Sequence, residues 1–198
     1  MIDHLRHRPY HLIMNEFDYS KIVIVGSSSS GKTTLGRQLS KILGQPHQEL
    51  DFFNWEENWT EAKHEVFRQR VDEFTSKTKW ITDGNYGRVQ DLTINRATLV
   101  IWLDYSLPLI LSRFFRRSIR RSITKEELWN GNRETLKNSM WGKESLLAWI
   151  LQVYPKNIAR YEEMITNNDS SKRRFLRFKT PRETKDFVQK LEKLSKLS

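Results

Sequence analysis

One nine-residue segment constrains this chain more than any other: Gly26, Ser27, Ser28, Ser29, Ser30, Gly31, Lys32, Thr33 and Thr34 in succession. A β-branched run, Lys21-Ile-Val-Ile-Val25, stands before it, the pattern of a buried parallel strand. After it, Leu35, Leu39 and Ile42 recur at helical spacing until Gly44. Strand, glycine-bounded loop and helix N-terminus in that order make a cradle for phosphate. The two glycines permit a loop whose amide N–H groups turn inward, and the serines are too small to block an anion. Lys32 can carry a compact charge to β- and γ-phosphates, Thr33 can offer its hydroxyl to Mg²⁺, and the helix dipole adds partial positive charge. Binding of ATP or GTP is therefore the first expectation.

The chain has 198 residues, a length that suits one α/β domain with a small inserted lid. It contains no cysteine, which excludes disulfides, thiolate metal sites and cysteine nucleophiles. No stretch approaches the roughly 18 uncharged residues of a membrane span, and the N-terminus lacks the apolar core of a secretory signal. The cytoplasm is the expected compartment. Net charge is +10, from 34 basic and 24 acidic residues, and such a surplus attracts phosphates of any kind.

Further strands are predicted at residues 48–53, Trp80–Asp83, Thr98–Leu103 and Arg174–Phe178. Helices are predicted from Thr60 (as N-cap) to about Lys77, from about Pro108 to Ile119 behind Ser106, over Glu144–Val153 and Pro155–Ile165, and from Pro181 onward. Thr124-Lys-Glu-Glu127 and Thr180-Pro-Arg-Glu183 both have the capping-box pattern. Residues 130–143, rich in Asn, Gly and Ser, read as a mobile connection. Such alternation predicts an α/β three-layer sandwich: a five-stranded parallel sheet flanked by helices, with a small helical lid at about 114–145. Residues 1–20 read as an extension ahead of a 21–198 domain.

Asp51 is expected at the carboxyl end of the second strand, where open α/β sheets place ligands. It can accept a proton from an acceptor hydroxyl or position that hydroxyl, or it can cap the next turn. Glu49, two residues earlier, is expected on the same face. Asp83 precedes Gly84 at the end of the third strand, and Asp104 reads as a cap for the helix after Ser106. Arg113, Arg116, Arg117, Arg120 and Arg121 crowd nine positions with no acidic residue among them. Their spacing places Arg113, Arg117 and Arg120–Arg121 on one helix face, suited to an anion with spreading charge or to a solvated basic face. Trp80 and Trp102 read as core. Trp55 and Trp59, after Phe52 and Phe53, can form an aromatic wall for an acceptor or simply pack. None of the five histidines has metal-ligand spacing, so Mg²⁺ is expected only with the nucleotide.

With these residues in view, the chain resembles the nucleoside monophosphate kinase group, adenylate kinase in particular. Asp83-Gly84-Asn85-Tyr86-Gly87-Arg88 resembles that family's Asp-Gly-Phe-Pro-Arg segment, with Asn85 and Tyr86 in place of Phe-Pro and Gly87 inserted. The resemblance implies that Asp83 holds Mg²⁺ through water and that Arg88 grips the acceptor's phosphate. Arg113 and Arg117 match the lid pair that stacks on adenine and holds phosphates, and Thr180-Pro181 matches the loop behind the adenine. Asp51 with Trp55 and Trp59, residues 83–86, Arg120-Arg121 and Trp129 to Glu134 look most like the branch of adenylate-kinase-like ATPases called topology modulation proteins. Arg121 and Arg133 enter the acceptor site by that likeness. ATP-dependent phosphoryl transfer to a small hydroxyl or phosphate acceptor is the resulting expectation. Two other readings stand beside it: a nucleic-acid-associated ATPase using the basic 113–121 helix, and a nucleotide sensor without transfer activity.

Overall fold

The computed structural model describes residues 17–142, 145–169 and 171–196. Strands β1 (Lys21–Gly26), β2 (His47–Glu49), β5 (Trp80–Asp83), β6 (Leu99–Leu103) and β7 (Arg174–Phe178) form one parallel sheet in the order β2-β5-β1-β6-β7. The alternation of side chains along β1 sends Ile22 and Ile24 to one face and Val23 and Val25 to the other. Ile22 and Ile24 join Leu35, Leu39, Leu99, Ile101 and Phe178 in one core, while Val23 and Val25 join Trp80, Val100, Trp102 and Tyr161 in a second. A sheet apolar on both faces requires a layer of helices on each, as the α/β sandwich predicted from sequence demands.

Helix α1 (Lys32–Leu43) and helix α7 (Pro181–Ser195) cover the first face. Thr180 caps α7 as expected: its hydroxyl accepts from Glu183 N–H, and the Glu183 carboxylate accepts from the Thr180 N–H. Residues 1–16 of the predicted extension lie outside the described residues. Residues 17–20 belong to the domain, since Phe17 and Tyr19 are buried in the first core and the Tyr19 carbonyl accepts from Gln45.

Several local expectations give way to tertiary contacts. The second strand stops at Glu49, and Leu50–Asn54 forms a helical turn, α2, that buries Leu50 and Asn54 at i,i+4 spacing. Asp51 therefore sits on a helix start and not on a strand, and shares no strand face with Glu49. Thr60 caps nothing: with Glu61 it forms β4, antiparallel to β3 (Trp55–Glu56), and α3 begins at His64. The cause lies more than 70 residues away, where Asn132 accepts from Trp59 N–H and donates to the Glu56 carbonyl. Phe67, Val71 and Phe74 of α3 do face inward. Helix α4 runs over Leu107–Thr124, so Thr124 ends a helix where it was expected to begin one, and its hydroxyl donates back to the Arg120 carbonyl. Asp104 does not cap α4; it pairs with Arg177 at 2.7 Å.

The connection predicted over 130–143 contains helix α5 (Leu136–Met140). The two helices expected on either side of Pro155 are one, α6 (Leu146–Thr166). Proline removes one backbone bond, but Ile150 and Tyr161 are buried on either side of it and hold both halves to the body. Among the described residues no helix is long and apolar enough to cross a membrane.

Candidate active site

All five parallel strands end toward one large cleft, with a volume of about 1850 Å³. That exceeds the ~300–1,000 Å³ usual for one small ligand and suits two. Its floor is the loop after β1. Gly26 has φ 144°, and a Cβ there would lie 2.7 Å from the Leu103 carbonyl oxygen, so only glycine fits. Asn85 lines the cleft and also holds this loop: its amide donates to the Gly26 carbonyl at 2.7 Å and accepts from the Gly26 N–H and the Tyr161 hydroxyl. Ser27, Ser28, Ser29 and Ser30 shape the loop, and the hydroxyls of Ser29 and Ser30 are buried without a partner. Buried hydroxyls left open beside the N-terminus of α1 are what an anion would satisfy.

Lys32 lies within this loop and donates to the Ser27 carbonyl. Burial pulls its ammonium below its ordinary value, opposed by the Asp83, Asp51 and Glu49 carboxylates. The Thr33 hydroxyl stands 3.2 Å from both Asp83 Oδ1 and Glu49 Oε2, and the other Asp83 oxygen is 2.8 Å from His47 Nε2. An all-oxygen set of one hydroxyl and two carboxylates fits a hard cation such as Mg²⁺ arriving with a nucleotide. His47 was missed in the sequence because a lone histidine carries no motif. It reaches Asp83 because Gly36 of α1 leaves room: a Cβ on Gly36 would lie 2.3 Å from His47 Nε2.

The arginine face of α4 divides by role. Arg113 donates to the Ser30 carbonyl at 2.8 Å and lies over the Tyr105 ring, and Arg117 reaches the Ser28 hydroxyl at 3.3 Å. Arg116 lines the cleft beside them. Among the described residues none of the three has a carboxylate partner. Burial lowers the Arg117 guanidinium, with Arg121 adding to the effect, and its Nε has no partner. Arg120 and Arg121, by contrast, pair with Glu126 and Glu134 at 2.8 and 2.9 Å. Burial would raise Glu134, but hydrogen bonds from Ser118, Ser139 and Arg121 outweigh it and hold the carboxyl below its usual range. Pro181 lines the cleft next to Thr184, whose hydroxyl is 2.6 Å from the Tyr105 hydroxyl; Thr180 is occupied with its cap and does not line it.

On the opposite side Asp51 faces the cleft, and Tyr86 donates to it at 2.5 Å. Burial raises the Asp51 carboxyl above its ordinary value, while the Tyr86 hydrogen bond and Lys32 pull it down. Tyr86 is a hydroxyl that sequence reading left without a role. Gly84 lines the cleft at the end of β5, and its N–H donates to the Ile24 carbonyl. Trp55, Trp59 and Trp129 meet edge to face, with centroids 5.6 and 6.2 Å apart, and the Trp129 indole donates to Glu49. Trp129 comes from the segment after α4, which crosses the cleft and is pinned by Asn130 to the Trp55 carbonyl at 2.5 Å. Arg133 lines the rim, 3.9 Å from Glu127. Arg88 is not brought to the cleft: it lies over the Phe67 ring and bonds Asn54 and Glu61.

Should Asp51 act as a base, Tyr86→Phe has an expected effect with a definite sign. The phenol stabilises the ionised carboxylate, so removing it raises the Asp51 value further. The acid limb of a kcat/KM pH profile then moves to higher pH, and a limb that stays in place or moves to lower pH refutes the assignment.

No protein-family model and no curated protein sequence matches the chain. Among solved structures it is similar to shikimate kinase from Bacteroides thetaiotaomicron, at 16% identity and TM-score 0.55, covering 89% of this chain and 98% of that one. Shikimate kinase from Acinetobacter baumannii in complex with shikimate gives 18% and 0.54, over 94% and 96%. At such identities the likeness is one of fold: a five-stranded parallel sheet between helices.

Proposed function

We infer that the protein is a P-loop kinase that transfers the γ-phosphoryl group of ATP to a hydroxyl of a small metabolite. The observation that carries this reading is the convergence on one cleft of Lys32, Thr33 and Asp83 at the phosphate loop, Arg113 and Arg117 reaching that loop, and Asp51 opposite. The fold shared with two shikimate kinases supports it. Within the adenylate-kinase-like group, the topology modulation branch fits best on the sequence likeness at Asp51, residues 83–86 and 129–134.

The adenine would lie between Arg113 with Tyr105 and the Pro181–Thr184 turn, its phosphates in the loop. Thr33 and Asp83, the latter through water, would hold Mg²⁺, which neutralises phosphate charge when bound. Lys32, Arg113 and Arg117 stabilise charge that spreads over the γ-phosphate oxygens during transfer. Asp51 accepts the proton from the attacking hydroxyl as the new O–P bond forms and ADP leaves. The Trp129 segment closes over the acceptor and excludes water, so that transfer outruns hydrolysis. The inward turn of Arg113 and Arg117 and the pairing of Arg120 and Arg121 favour this reading over a nucleic-acid-gripping face. The cytoplasm is the compartment that fits such chemistry.

A screen of hydroxyl metabolites with labelled ATP tests the proposal. A phosphorylated product above the hydrolysis background is expected. Tight ATP binding with no product from any acceptor would favour the sensor.

A further inference from the structure

The two halves of the cleft differ in charge, and the difference restricts the acceptor. Around the phosphate loop the cations are unmatched: Lys32, Arg113, Arg116 and Arg117 have no ion-pair partner among the described residues. Across the cleft every lining arginine is matched. Arg37 pairs with Glu49 at 2.8 Å, Arg121 with Glu134 at 2.9 Å, and Arg133 stands 3.9 Å from Glu127. Arg88, whose motif position implies a grip on an acceptor's phosphate, lies outside the cleft, over Phe67 and paired with Glu61 at 3.3 Å. Among the described residues Asp51 on this side has no ion-pair partner at contact distance, and its carboxylate accepts from the neutral Tyr86 phenol.

An acceptor bearing a phosphate or carboxylate would have to break one of these pairs and leave a carboxylate uncompensated beside its own charge. A ring compound without negative charge meets no such cost. The edge-to-face Trp55, Trp59 and Trp129 offer it apolar surface, while Asp51 takes its hydroxyl. Resting on the kinase reading above, we propose that the acceptor is a neutral or amino-bearing polyhydroxylated ring compound, sugar-like or nucleoside-like. Nucleoside monophosphates and sugar acids are then excluded by charge.

The test is a charge ladder of matched probes titrated by calorimetry against the full chain with ADP·Mg²⁺ present: glucosamine, glucose and gluconate in one series, adenosine and AMP in another. In at least one series the neutral or amino member is expected to bind saturably, and at least about tenfold more tightly than its anionic partner, as one repelled charge requires. Equal or tighter binding of gluconate and AMP overturns the proposal, and so does failure of every neutral and amino member to bind. Binding of ADP·Mg²⁺ in the same titrations separates the two claims. Its loss removes the kinase reading itself, whereas nucleotide binding with an inverted ladder removes only the acceptor class. Glu127→Gln supplies a second readout. By freeing Arg133 on the rim it is expected to improve binding of the anionic probes about threefold, the scale of one exposed ion pair, and to leave the neutral ones unchanged. No change, or an equal change for both, counts against the proposal.

Discussion

Lys32→Ala is expected to lower ATP-dependent phosphoryl transfer by about 10²–10³-fold or more, the range seen when one preorganised charge is removed from a developing anion. Lys32 is enclosed by the loop it serves, with its ammonium on the Ser27 carbonyl and the carboxylates of Asp83 and Asp51 nearby. In water a single cation adds little to phosphate binding; inside a loop with buried, unpartnered serine hydroxyls its field is poorly screened. The same burial is the largest influence on its own ionisation and disfavours the charge. Truncation therefore removes a cation that the fold holds at a cost, and the thermal midpoint is expected to stay near that of the unaltered protein. Transfer kinetics together with a thermal melt check the two halves of this statement. Turnover within tenfold of the unaltered protein would sink the assignment of the phosphate site.

What was legible in the sequence follows from the range of the interactions involved. Consecutive β-branched residues in Lys21–Val25, apolar runs in Trp80–Asp83 and Leu99–Leu103, and the Thr180–Glu183 cap announce themselves within a few positions, and the structure has these elements. The phosphate loop is local in the same sense. The rest of the cleft is not. His47 meets Asp83 across 36 positions, and Trp129 meets Glu49 across 80, with no periodicity to announce either. Thr60 and Thr124 have good capping patterns, yet one is drawn into a ribbon by Asn132 and the other is absorbed by a longer helix. Arg88 shows the limit most sharply. Its motif position suggested a phosphate grip, but Glu61, Asn54 and the Phe67 ring, drawn from three separate elements, take the guanidinium first. Such competition appears only when the chain is folded.

The same asymmetry gives Asp51→Asn a distinct signature. The substitution keeps the shape of the side chain and an oxygen to accept from Tyr86, but no longer takes a proton. Loss of a positioned base is expected to lower kcat by about 10²–10⁴-fold. ATP affinity should barely change, because Asp51 faces the acceptor and the phosphate loop is held by Asn85 and Arg113. Stability moves the other way. Burial raises the Asp51 carboxyl above its ordinary value of 3.8. A carboxyl raised in the folded state adds stability below its unfolded value, and that contribution is lost as pH rises through the folded one. At neutral pH the ionised Asp51 thus weighs against the fold, and asparagine relieves the burden, so the variant should melt no lower than the parent and should lose part of the parent's decline in stability from acid to neutral pH. A slower enzyme with unchanged nucleotide affinity and an equal or higher melting temperature is what a base in a tuned site predicts. Full activity would remove Asp51 from the chemistry, and a fall in ATP affinity matching the fall in rate would move it to the donor side of the cleft.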